Sequence, residues 1–257
     1  MLIFSSTISL AKEFKTNISK HLEISDLCPI KHYLGIEVSR DRPNKVITLS
    51  QKGYLLKILE KYNTKGLRPV STPIEQGVRL EKARTQASIG EIKEFQGQVG
   101  SLIYLATKTR PDISYAVGQV AKFMSNPDST HFKAINRIWK YLNDPNSLDK
   151  TLLRIRIYGP KEATKEAIFL KDLLKELGLE DRAITVYTNS NSAIELANNP
   201  EHYAKSKHID IQYYFVRDSN ENGLIKLVWI STKEQVADIL TKALEGPLFL
   251  RLREDLL

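Results

Sequence analysis

Cysteine is almost missing from this sequence. Cys28 stands alone among 257 residues, so no internal disulfide can form, and it belongs to no Cys/His cluster. A reducing intracellular compartment, cytoplasmic or nuclear, is the natural reading. Long apolar runs are missing as well. No stretch approaches the roughly 20 apolar residues of a membrane span. The apolar opening MLIFSSTISL lacks a basic n-region and a small-residue cleavage site, so it does not read as a signal peptide, and no membrane partner is expected. Also absent are a Gly-rich phosphate loop, a Ser/His/Asp set and zinc-ligand spacing. No internal repeat or low-complexity segment is found.

What is present is positive charge, unevenly placed. Residues 1–150 hold 23 Lys/Arg against 14 Asp/Glu, a net of +9, whereas residues 151–257 hold 15 against 16, a net of −1. All the basic excess therefore lies in the first part. Such asymmetry fits a polyanion partner, most simply nucleic acid. A basic solubilising surface is the plain alternative.

Apolar periodicity lays out the elements. Residues 11–25 read as an amphipathic helix through Phe14, Ile18 and Leu22. The β-branched and aromatic run 32–38 reads as one strand. The turn residues 41–44 and the run 45–49 make a hairpin partner for it. Residues 51–62 are helical in pattern, and 64–90 form a polar connector broken by Gly66, Pro69 and Pro73. Three helices follow. Phe95, Val99, Leu102, Ile103 and Ala106 mark the first, and Ile113, Ala116, Val117, Val120 and Met124 the second, with Pro111 at its start. Asp128, Ser129 and Thr130 are N-cap candidates for the third, which turns Phe132, Ile135, Ile138, Trp139 and Leu142 inward. Its other face carries Lys133, Arg137 and Lys140. Cations in a line along a helix can track a phosphate backbone; a solvated face is the plain alternative. After the loop 143–147 the order in residues 151–243 is strand, helix, strand, two helices, strand, helix, an α/β layout.

Several runs together resemble copia-type retrotransposon polyproteins. FKTNISKHLEISDL (14–27), YLGIEVSRD (33–41), ITLSQKGYLLKILEKY (47–62) and PVSTPIE (69–75) are similar to the region after the polymerase active site. The run 95–142, FQGQVGSLIYLATKTRPDISYAVGQVAKFMSNPDSTHFKAINRIWKYL, is similar to the thumb-like part. EATKEAIFLKDLLKELGL, NSAIELANNPEHYAKSKHIDIQYYFVRD and ISTKEQVADILTKAL are similar to the family's ribonuclease H-like domain. No single run decides the matter; their shared order does. The resemblance implies that residues 1–150 border a primer–template duplex, with the strand around Leu34–Val38 near the primer end. It also makes Lys133, Arg137 and Lys140 candidate phosphate contacts, with Trp139 read as core.

The sequence then departs from its relatives where the chemistry lies. Nucleotidyl transfer and ribonuclease H cleavage each use two metal ions roughly 4 Å apart, and Mg²⁺ calls for several converging carboxylates. In the family's polymerase an adjacent Asp-Asp pair supplies two of them, and no Asp-Asp doublet occurs here. The segment resembling MLIFSS follows that doublet in relatives, which implies that Met1 begins just past the metal site. In the ribonuclease H part, relatives place a strand with the first Asp, and a helix start with the Glu, between the thumb-like region and the helix resembling Glu162–Leu177. Only the 19 residues 143–161 separate those blocks here, too few for three strands with their turns. Glu162 and Glu166 match no catalytic position. Asn189 stands where relatives carry an Asp, leaving Asp210 in KSKHIDI as the one matching carboxylate. His202 and His208 read as packing or surface residues, and Tyr213 and Tyr214 as core and rim.

The expected fold is α+β, with a partial reverse-transcriptase palm and thumb-like region followed by a truncated ribonuclease H-like α/β unit. Residues 1–75 would end the palm-like region, 76–150 form the helical thumb-like or connection region, and 151–257 the ribonuclease H-like region. The leading expectation for function is a catalytically inactive remnant without a cofactor, intact relatives using Mg²⁺. The alternatives are a surviving module that binds an RNA/DNA duplex, and an assembly protein that self-associates through exposed sheet edges.

Overall fold

The computed structural model describes residues 8–26, 29–41, 46–144, 167–172, 175–176, 183–191, 194–195 and 215–257. The architecture is α+β. Helix α1 (Ile8–Ser19) leads into three short antiparallel strands, β1 (His32–Tyr33), β2 (Ile36–Asp41) and β3 (Val46–Ser50), in the order β1-β2-β3. The hairpin of β2 and β3 follows the expectation, with Val38 opposite Leu49 and Ser39 opposite Thr48. The run 32–38, however, is not one strand. It folds back at Leu34 and Gly35, so that Tyr33 faces Ile36. Both turn residues have positive φ, 47° and 72°, the pattern of a type I′ turn whose twist suits a tight hairpin. Gly35 accepts that conformation readily, whereas Leu34, 69% exposed, bears a left-handed backbone that L residues disfavour.

Two contacts tie this sheet to the helices. The Glu37 carboxylate accepts from the Gly53 amide at 3.2 Å, an acid at the positive end of α2 (Lys52–Lys61). The Tyr104 hydroxyl donates to the Leu34 carbonyl, and its ring meets Tyr54 edge-on at 5.1 Å.

The main core is helical. Helix α3 (Ile89–Lys108) begins with a capping box: Ser88 Oγ accepts from the Glu91 amide while the Glu91 carboxylate accepts from Ser88 N. The second expected helix starts as a 3₁₀ turn (Pro111–Ile113) and continues as α4 (Ser114–Ala121). Asp128 caps α5 (Ser129–Leu142), its Oδ1 accepting from Thr130 N at 2.8 Å. Phe95, Val99, Leu102, Ile135, Ile138, Trp139 and Leu142 are all buried as their spacing predicts, and Trp139 Nε1 donates to Gln98 Oε1 at 2.8 Å. The connector 64–88 is pinned by two amides. Asn143 bonds the Thr64 carbonyl and the Gly66 amide, and Asn126 bonds the Thr85 carbonyl and the Ala87 amide.

The end of the chain joins this same core. A 3₁₀ turn (Val236–Leu240), where the sequence predicts an α-helix over 233–243, and α6 (Gly246–Leu256) bring Val236, Ile239, Phe249, Leu252 and Leu256 against α2–α5. Between them lies a smaller unit. Strands β4 (Ile184–Thr188) and β5 (Ile225–Trp229) pair in parallel, Ile184 opposite Ile225. Ala167, Val216, Val186 and Ile225 make its modest core. Parallel sheets are normally covered on both faces, yet Tyr187 and Trp229 are 55% and 52% exposed.

Candidate nucleic-acid interface

Helix α5 presents its cations as a cavity wall rather than as an open line. With the connector and α4 it encloses a cavity of about 370 Å³ floored by Val70, Ile74, Leu80, Val120 and Ile138. Lys133, Arg137 and Lys140 line it from the helix, and Arg79 lines it from the connector. Lys133 is exposed, and Arg137 and Lys140 are half-buried. Arg137 is engaged: its Nη1 lies 2.5 Å from the Glu75 carboxylate and its Nη2 donates to Thr72 Oγ1 at 3.1 Å. Its Nε is buried and meets no acceptor. Among the described residues Arg79, Lys133 and Lys140 form no ion pair. The lining thus holds four cations and one acid, Glu75.

A second charged group is fully internal. Arg110 and Asp112, in the run TRPDI, are buried and form a two-armed pair: Nε to Oδ1 at 2.9 Å and Nη2 to Oδ2 at 2.7 Å. The Tyr141 hydroxyl donates to Asp112 Oδ2 at 2.5 Å, and Arg253 Nη1 donates to the Tyr141 oxygen at 3.3 Å. Both guanidiniums lie within 6 Å of the Tyr141 ring centre, at 5.6 and 5.9 Å. Burial would push the Asp112 carboxyl up. The Arg110 charge and its hydrogen bonds outweigh that effect, with help from Tyr141 and Arg253, and hold it below the usual carboxylate range. Burial and the Asp112 charge push the Tyr141 hydroxyl up. All four groups therefore keep fixed protonation states at neutral pH. The cluster joins α5 to α6.

The remaining site residues fall differently. Asn189 sits exposed just past β4, its Nδ2 3.5 Å from Thr232 Oγ1. Asp210, Glu162, Glu166, His202, His208, Tyr213 and Tyr214 lie outside the described residues. Among the described residues no three His, Cys, Asp or Glu side chains gather as a metal site would require, and no helix is long and apolar enough to cross a membrane. Sequence reasoning missed Arg79, Thr72 and Glu75. The breakers Pro69 and Pro73 marked the connector that contains them, but nothing local indicated that it folds against α5.

Comparison with known proteins shows what the sequence is similar to. Residues 1–76 match the family model described as reverse transcriptase (RNA-dependent DNA polymerase). The chain is 31% identical to the retrovirus-related Pol polyprotein from transposon TNT 1-94 of Nicotiana tabacum, over 94% of this chain and 22% of that protein. It is 30% identical to the corresponding polyprotein from transposon RE1 of Arabidopsis thaliana, over 97% of this chain and 20% of that protein. The chain thus spans about a fifth of the length of these relatives. The alignments run over 298 and 302 positions, more than the 257 residues of the chain, so stretches of the relatives have no counterpart here. No solved structure matches. The similarity runs over nearly the whole chain, with the family match at its start: this chain resembles a stretch of the retrovirus-related Pol polyproteins of copia-type transposons.

Proposed function

We propose that this chain is a non-catalytic piece of a Pol polyprotein that holds nucleic acid through its basic helical unit. The observation that carries the reading is the α5 cavity, where Arg79, Lys133, Arg137 and Lys140 face a single acid. It lies in the part of the chain that holds all the excess positive charge. A helix packed on Ile135, Ile138 and Trp139 fixes the backbone that carries Lys133, Arg137 and Lys140. Each phosphate neutralised releases condensed counterions, which makes affinity fall steeply with salt. The test is fluorescence anisotropy of a labelled RNA–DNA hybrid across a salt series. Replacing Lys133, Arg137 and Lys140 together by Glu must weaken binding and flatten the salt dependence. Unchanged affinity and slope would overturn the reading.

Lack of catalysis rests on the donor set. The resemblance places a metal-binding Asp at position 189, and Asn189 offers a neutral amide there, exposed beside Thr232. An amide oxygen can coordinate Mg²⁺ but brings no negative charge, so this position does not fit a two-metal site. In this reading residues 151–257 are a shortened ribonuclease H-like region, consistent with alignments longer than the chain itself.

One observation favours a second role. The parallel pair β4–β5 has no further strand beside it among the described residues, and Tyr187 and Trp229 stand half-exposed on it. Open strand edges template pairing with another chain. Self-association through this sheet would appear in light scattering as a mass that grows with concentration; a constant monomer mass would rule it out.

A further inference from the structure

Glu75 sits on Arg137, one of the cations that line the α5 cavity. Its carboxylate sits on Arg137 Nη1 at 2.5 Å, while Thr72 holds Nη2 and Nε faces no acceptor. The pair is uneven in exposure: the Glu75 side chain is 59% exposed and that of Arg137 is 27% exposed. The acid can therefore swing into water with little rearrangement, whereas the guanidinium is fixed in the cavity wall. Exposed ion pairs of this kind are worth little and are easily exchanged. Three further cations, Arg79, Lys133 and Lys140, line the same cavity.

We infer that Glu75 is a built-in competitor, an electrostatic gate that neutralises Arg137 in the free chain and is displaced by a backbone phosphate of bound nucleic acid. The inference rests on the nucleic-acid reading above and adds its regulation. Arg137 then contributes to binding only after Glu75 has left, so the free surface is one cation poorer than its residue types suggest. The cavity floor is aliphatic, with no aromatic side chain on which a base could stack. The site thus suits a phosphodiester and not an unpaired base. An acidic peptide would satisfy the same cations, but the excess charge spread over residues 1–150 favours a long polyanion.

The test compares the full chain with E75Q, R137Q and the double variant, using a short labelled DNA duplex between about 50 and 200 mM salt. Removing the gate should tighten binding about three- to tenfold near the lower salt. The slope of log K against log salt should stay nearly the same, because once the gate has left Arg137 meets the same phosphate in both chains. In the R137Q background E75Q should change neither quantity, because the gate acts through Arg137. An equal gain in both backgrounds would mean a diffuse charge effect and would overturn the gate while leaving the nucleic-acid reading intact. Absence of duplex binding by every variant would remove both. If poly-L-glutamate took the same E75Q gain as the duplex, the site would be a carboxylate site and the phosphate assignment would be wrong.

Discussion

Arg253, in the last turn of α6, donates to the hydroxyl of Tyr141 across 112 residues of sequence. Tyr141 passes the contact on to Asp112, which Arg110 holds with two hydrogen bonds. The end of the chain is thereby tied to the helical unit through buried polar side chains. Breaking a buried pair by removing one partner leaves the other uncompensated, at a cost of about 3–5 kcal/mol. Asp112→Ala should therefore lower the unfolding free energy by about 3–5 kcal/mol, read as a lower urea midpoint. An unchanged midpoint would show that the cluster contributes nothing.

The same cluster sets an acid limit. Asp112 titrates below its ordinary value in the folded chain, so the stability it adds is present above the ordinary carboxylate pKa of about 3.9 and is lost as pH falls through the folded value. Thermal midpoints should hold steady near neutrality and drop in acid. Asp112→Asn should start lower and lose less on acidification.

Helix α6 is predicted to be part of the helical unit's core. Phe249, Leu252 and Leu256 are buried among α2–α5 and the 3₁₀ turns, and each such side chain contributes about 1.5–3 kcal/mol on burial. Ending the chain at residue 244 should cost several kcal/mol and leave a helical unit that binds hydrophobic dyes. A truncated chain with an unchanged melting temperature would contradict this packing.

The β1–β2 turn gives a prediction of opposite sign. Leu34 has φ of 47° and is largely exposed, so its side chain gains little from burial while its backbone is strained. Leu34→Asn, a residue that accepts the left-handed conformation, should stabilise the chain by about 0.5–1 kcal/mol. Gly35→Val should do the reverse, since φ is 72°, a left-handed backbone that a β-branched residue strongly disfavours. Urea unfolding of both variants checks the pair.

What the sequence made readable was local. The stripes through Phe95, Val99 and Leu102, and through Ile135, Ile138 and Trp139, predicted α3 and α5 because helical spacing records which face is buried. Asp128 was readable as a cap for the same reason, since its partners Thr130 and His131 are adjacent in sequence. The turn at Leu34 was hidden by a β-branched and aromatic run, with Gly35 the only local signal. Long-range relations left no periodic trace. Glu75 meets Arg137 across 62 residues, and TRPDI showed no sign of reaching Arg253. The cation line on α5 was legible as residue types; its enclosure by the connector was not.

The most direct measurement incubates the full chain with a labelled RNA–DNA hybrid in Mg²⁺, then in Mn²⁺, and follows anisotropy and strand length in the same samples. The account predicts salt-sensitive binding with both strands intact. Cleavage of the RNA strand that disappears in Asp210→Ala would contradict it.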